Sequence, residues 1–120
     1  MMRIKAVVQS QADFDAWVAN QQKSAADPQI EQEKAGYGVV TTLCASCHSL
    51  NPAEPDLKTG PNLAHLFSRS IIAGGTYDLN EANLRHWLKD TQAMKPGNDM
   101  SVILTSKQID DLIAYLTLLK

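Results

Sequence analysis

Both cysteines of this chain lie in one short stretch, Cys44-Ala45-Ser46-Cys47-His48, and one of its three histidines ends that stretch. No other feature constrains the fold as strongly. A redox dithiol with this spacing usually opens a helix after a strand in a βαβ pattern. Here the pair closes a helical stretch, and no strand pattern surrounds it. A zinc site needs two further ligands at suitable spacing. The other histidines, His65 and His86, are too far apart in sequence to form a finger motif. Cys-x-x-Cys-His is also the attachment signature for c-type haem. Each thiol adds to one vinyl group of the porphyrin, and the two-residue gap lets one turn of helix span both vinyls. His48 then lies beneath the iron and supplies the proximal nitrogen. No thiol is left over, which agrees with the cysteine count.

The bulk properties bound the rest. A chain of 120 residues makes one domain with a modest core. Apolar residues at 44% mark it as globular. A net charge of −2, without a Lys/Arg run, leaves no footprint for nucleic acid. Apolar runs such as Ala6–Val8 are too short for a transmembrane helix. Arg3 and Lys5 interrupt the N-terminal apolar residues, so no secretory signal is read. An exported or membrane-bound parent would carry its address outside this chain. Two cysteines provide no disulfide framework. A haem, a large apolar disc, would give a protein this small something to wrap its short helices around.

Residues 3–8 alternate Ile4, Ala6 and Val8 with Arg3, Lys5 and Val7, which predicts a strand. Ser10 caps a helix to about Asn20, with Asp13 at the capping-box position and Phe14, Trp17 and Val18 on one face. Gln21–Gln29, with Asp27-Pro28, reads as a linker. A helix from Ile30 to about Leu43 runs into the cysteine pair. Asn51–Pro61 is loop, Asn62–Arg69 a short helical turn, and Gly74-Gly75 a break. Asn80 caps a helix to about Asp90. Thr91–Met100 reads as an extended loop. Ser106 starts a last helix with the stripe Ile109, Leu112, Ile113, Leu116 and Leu119. From the linker onward the expectation is helix and loop alone, an all-α fold.

From about Glu33 to Lys120 the chain resembles a class I cytochrome c. Gly36 lies eight residues before Cys44, where that family keeps a glycine for close helix contact. Asp111-Leu112-Ile113-Ala114-Tyr115-Leu116 is similar to the C-terminal helix that crosses there. Lys58-Thr59-Gly60-Pro61-Asn62-Leu63 resembles the loop after the attachment motif, which implies a hydrogen bond from His48 to the Pro61 carbonyl. Such a bond fixes the ring and strengthens it as a ligand. Phe67-Ser68-Arg69 resembles the position of an arginine paired with a haem propionate. Lys95-Pro96-Gly97-Asn98-Asp99-Met100 resembles the loop that delivers a methionine sulfur as sixth ligand. The family's propionate aromatic is often a tryptophan in the central loop; here Tyr77 and Trp87 are both candidates. The resemblance implies helices wrapped around one haem c, held by Cys44 and Cys47, with His48 and Met100 on the iron.

The first twenty residues belong elsewhere. Met2 to Val8, followed by Phe14-Asp15-Ala16-Trp17, resemble the end of the copper domain of cytochrome c oxidase subunit II. In that family a final strand and a helix with Phe-x-x-Trp follow a copper-binding methionine, whose place Met2 would take. No copper centre can form in this chain, since the rest of that ligand set is missing. In some bacterial oxidases, the caa3 type, the copper domain continues into a fused cytochrome c. The resemblance therefore divides the chain into the tail of a copper domain (1–20), a linker (21–29) and a cytochrome c domain (30–120), within a longer protein.

Other residues compete for these roles. Met94 is the rival sixth ligand, with core packing as its plainer role. His86 and His65 could give a bis-histidine haem, but read as a helix-face and a surface residue. Arg69 could be an ordinary surface cation. Tyr115 reads as a packing residue where helices cross. Asp110-Asp111 and Glu31/Glu33 read as solvated faces. With both axial positions filled, the iron moves one electron and does no bond chemistry. The expected function is electron transfer from a soluble donor protein to the copper centre of the parent subunit, with no enzyme activity of its own. The donor would dock at the haem edge, with Lys58 and Lys95 as rim charges. The site would face the periplasm or the outer side of the membrane, tethered through the parent complex. The alternatives are a free-standing soluble cytochrome c shuttle and a haem sensor or peroxidase domain. Removing residues 1–28 is expected to leave haem binding intact.

Overall fold

The computed structural model describes residues 4–54 and 59–120. Among these are five α-helices and one small hairpin. Helix α1 spans Gln11–Gln21, α2 Glu31–Val39, α3 Glu81–Lys89, α4 Thr91–Met94 and α5 Ser106–Leu116. The class I cytochrome c fold expected from the sequence is the fold observed.

Each start follows from a side chain that satisfies an orphan N–H. Ser10 Oγ accepts from Asp13 N at 3.2 Å, and Asn80 Oδ1 from Asn83 N at 2.8 Å. In α5, Thr105 Oγ1 accepts from Gln108 N, while Gln108 Oε1 accepts from Thr105 N at 2.9 Å, a full capping box. The Glu33 carboxylate does the same for α2 by accepting from Gln29 N and Ile30 N. Glu33 is therefore a cap and not merely part of a solvated face.

The core lies between α2, α3 and α5. It is built from Val40, Leu66, Leu84, Leu88, Ile109, Leu112, Ile113, Tyr115, Leu116 and Leu119. The α5 stripe is buried as its spacing predicts. Helices α2 and α5 meet at Gly36, and the Tyr37 and Tyr115 rings pack edge to face there, 5.3 Å apart.

Several expectations change. Residues 4–10 form no strand, and Ile4 and Val8 are 96% and 97% exposed. Alternation encodes a strand only where a second strand completes the ladder. Strands do occur further on: β1 (Ile71–Ile72) pairs antiparallel with β2 (Tyr77–Asp78), so the body is not helix and loop alone. Ala73, Gly74 and Gly75 make the turn, all at positive φ. Thr91–Met100 is not extended throughout, because Asp90 Oδ1 accepts from Ala93 N and opens α4. Asp111 is only 6% exposed and bonds Lys107 Nζ at 2.5 Å, so it is not on a solvated face.

The segment expected as linker is tied down. Lys23 O lies 3.0 Å from His65 Nε2, Gln21 Nε2 donates to Ser68 Oγ, and Ala25 packs on the core. His65, expected at the surface, is buried between Lys23 O and Lys120 O. Helix α1 buries none of its residues, and Phe14 and Trp17 stack in solvent, 48% and 50% exposed.

Candidate haem site

Helix α2 delivers the cysteines through a π turn, Val40–Cys44, closed by Ala45 N donating to Val40 O at 2.9 Å. The Thr41 and Thr42 hydroxyls donate back to the carbonyls of Tyr37, Gly38 and Val39. Such back-bonding offers an α-helix an alternative partner and eases the wider turn. The chain then folds tightly, with His48 N and Cys47 N both donating to Cys44 O. Cys44, Cys47 and His48 thus share one turn. Cys47 is exposed and Cys44 half-buried. Burial pushes the Cys44 thiol above its ordinary value, and the neighbouring Cys47 adds to the rise.

The His48 ring is held from two sides. Its Nδ1 donates to Pro61 O at 2.7 Å, which fixes the tautomer and leaves Nε2 unprotonated, the form an iron ligand would need. Gly60 packs against the ring face so closely that a Cβ there would sit 2.4 Å from Cε1. Gly60 N donates to Cys47 O, tying the loop to the motif turn. Sequence reasoning quoted Gly60 only as part of a motif. Its contact with the imidazole could be found only in three dimensions.

Met100 and Met94 sit differently. Met94 is buried in α4, with its carbonyl accepting from Tyr77 Oη at 2.8 Å. Met100 follows a turn made by Gly97 at φ 79° and is partly buried against the core. Its backbone N–H donates to Asn98 Oδ1, and its carbonyl accepts from Thr91 Oγ1. The sequence reading names Asn98 only as part of a motif and gives Thr91 and Gln92 no role at the site. The signal available was an Asn two residues before Met100, the Asx-turn pattern.

The remaining candidates are scattered. The Tyr77 hydroxyl is engaged with the Met94 carbonyl. Trp87 is half-buried on α3, between the buried Leu84 and Leu88 in sequence. Arg69 is exposed and donates from Nη2 to Asn62 O. It lines a cavity of about 300 Å³ with Gln21, Glu54, Asn62 and His65, and neither cysteine is among the lining residues. His86 is exposed on α3, as expected of a helix-face residue. Lys95 is half-buried, and its Nζ lies over the hairpin, 2.7 Å from where a Gly74 Cβ would be. Lys58 lies outside the described residues.

The donor set fits a haem. Two thiols and an imidazole fixed in a single tautomer share one turn. The ring is seated against a glycine that leaves no room for a side chain. A methionine strap lies elsewhere in the same body. A small helical body around such a turn defines a class I cytochrome c domain. The chain belongs to the cytochrome c family, whose sequence profile matches residues 33–120, and membership implies haem binding. It is 39% identical over 115 residues to cytochrome c oxidase subunit 2 of Bacillus sp. (strain PS3), over 89% of this chain and 32% of that protein. Cytochrome c oxidase subunit 2 of Bacillus subtilis (strain 168) is 29% identical over 127 residues, covering 100% of this chain and 35% of the relative. The corresponding protein of Alkalihalophilus pseudofirmus is 28% identical over 123 residues. The chain spans about a third of the length of these curated relatives.

Proposed function

We propose that the chain is the electron-transfer haem c domain of a cytochrome c oxidase subunit 2. Cys44 and Cys47 hold the haem through two thioethers, and His48 and Met100 take the axial positions. The bound haem supplies a one-electron couple. The domain accepts an electron from a soluble donor protein and passes it to the dinuclear copper centre of its own subunit, on the periplasmic or outer side of the membrane. Residues 1–20 end the copper domain, 21–29 connect, and 30–120 carry the haem. Among the described residues, no helix is long and apolar enough to cross a membrane. Tethering to the membrane through the parent complex is part of this proposal.

The observation that carries the haem reading is the His48 seat: the 2.7 Å bond to Pro61 O and the contact with Gly60. The oxidase reading is supported by relatives that align with the whole chain, the first thirty residues included. The stacked, exposed Phe14 and Trp17 support it too, since they give α1 an apolar face for a neighbouring domain. That observation favours the oxidase over a free-standing shuttle.

The test is an optical redox titration of the holoprotein beside Met100→Ala. A thioether ligand favours ferrous iron and raises the potential. The expected result is a high potential that falls sharply in the variant. A low potential in the parent, or no change in the variant, would return the sixth position to Met94, a histidine or an open site.

A further inference from the structure

The segment from Thr91 to Met100 is closed on itself by side chains. Asn98 Oδ1 accepts from Met100 N at 2.9 Å, and Thr91 Oγ1 donates to Met100 O at 2.7 Å. Both backbone polar groups of Met100 are therefore held by side chains of its own strap. Asn98 is anchored in turn: its Nδ2 donates to Thr91 O at 3.0 Å and Lys95 O at 2.8 Å. Gln92 closes the middle, donating from Nε2 to Asn98 O at 2.7 Å and accepting from Gly97 N at 3.0 Å. Thr91 is buried, so its hydroxyl works in a setting where water competes poorly.

We propose that Asn98 and Thr91 are positioning residues for Met100, fixing the strap so that its thioether is presented at a set place. The proposal rests on the reading that Met100 is the sixth ligand. A loose strap must be ordered each time the sulfur binds, and the cost of that ordering is subtracted from the strength of the bond. The Asn98 and Thr91 bonds meet that cost during folding, so the ligand arrives preorganised. Met94 is held differently: it lies within α4, and its carbonyl accepts from the Tyr77 hydroxyl.

The test uses the ferric holoprotein and added imidazole, which competes with a thioether for the iron. Thr91→Val and Asn98→Ala are expected to raise the apparent affinity for imidazole about three- to tenfold, the worth of one lost hydrogen bond. Thr91→Ser keeps the hydroxyl and is expected to behave as the parent. Thr91→Val nearly preserves shape, so it reports even where Asn98→Ala fails to fold. A merely structural role would lower the unfolding midpoint without moving imidazole affinity and without a Val/Ser contrast. Parental affinity in Thr91→Val, or equal gains in Val and Ser, would overturn the proposal. Met100→Ala is the reference and should bind imidazole most tightly. If it binds like the parent, Met100 is not the ligand and the underlying reading fails. If it changes while the Thr91 and Asn98 variants do not, only this inference fails.

Discussion

Gly36 of α2 lies against the Asp111 carbonyl of α5 so closely that a Cβ there would sit 2.0 Å from the oxygen. The obstacle is backbone, which cannot swing aside. The Tyr115 Cβ closes the same space at 2.9 Å. Gly36→Ala is therefore expected to cost about 3 kcal/mol through forced separation of the two helices. Gly38, two residues on, meets nothing within 4 Å. Gly38→Ala should instead gain up to about 1 kcal/mol from helix propensity. Denaturant unfolding of both variants checks the contrast, and equal effects would mean that the crossing is not set by Gly36.

The two thiols differ in setting as well as position. Cys47 is exposed, whereas burial and the neighbouring Cys47 push the Cys44 thiol up. The thiolate is the reactive form, so a raised pKa and poor access both slow a buried cysteine. In chain prepared without haem, iodoacetamide is expected to modify Cys47 about tenfold faster than Cys44. In holoprotein neither should react if both sulfurs are thioethers, as proposed. Time-resolved peptide mass mapping reads both results. Free alkylation of either cysteine in holoprotein would count against attachment through that residue.

The Tyr115 phenol is pushed from its ordinary 10.0 up to about 12, first by burial and then by Tyr37 and Asp27. The folded state thus holds the proton more tightly than the unfolded chain. That contribution is complete below 10.0 and is lost as pH rises through about 12. Relative to Tyr115→Phe, the parent should lose on the order of 2 kcal/mol across this window. Below it, the difference between the two should be constant. Unfolding at stepped pH checks this, and a flat difference would show that the phenol ionises equally well in both states.

The parts of this fold legible in sequence are those with a short-range cause. Ser10, Asn80 and Thr105 cap helices because their side chains reach N–H groups three residues on. The α5 stripe follows from helical spacing, and Gly36 from the resemblance that places a glycine eight residues before Cys44. The parts not legible depend on residues far apart in the chain. His65 is buried because Lys23 O and Lys120 O, 42 and 55 positions away, converge on its ring. Residues 4–8 alternate as a strand should, but pairing is a property of two segments. The two-residue strands of the hairpin are too short to register as alternation. At the site, the cysteines and His48 announced themselves, while Gly60 and Asn98 did not. Their roles are contacts, and neither residue type points to a ligand by itself.

The π turn at Val40–Cys44 has a consequence for how the chain can vary. Two separate demands meet on one helical segment. Gly36 must face α5, and Cys44 must begin the turn that also carries Cys47 and His48. Each residue of an α-helix advances the heading by about 100°. A regular helix would thus dictate the second heading once the first was set. The wider turn takes up the mismatch, as a slip ring lets two shafts keep different phases. Loss of one residue between Gly36 and Cys44 would rotate the attachment turn away from its seat at Gly60 and Pro61. The eight-residue interval is therefore a phase constraint, and substitutions there should be tolerated far better than insertions or deletions.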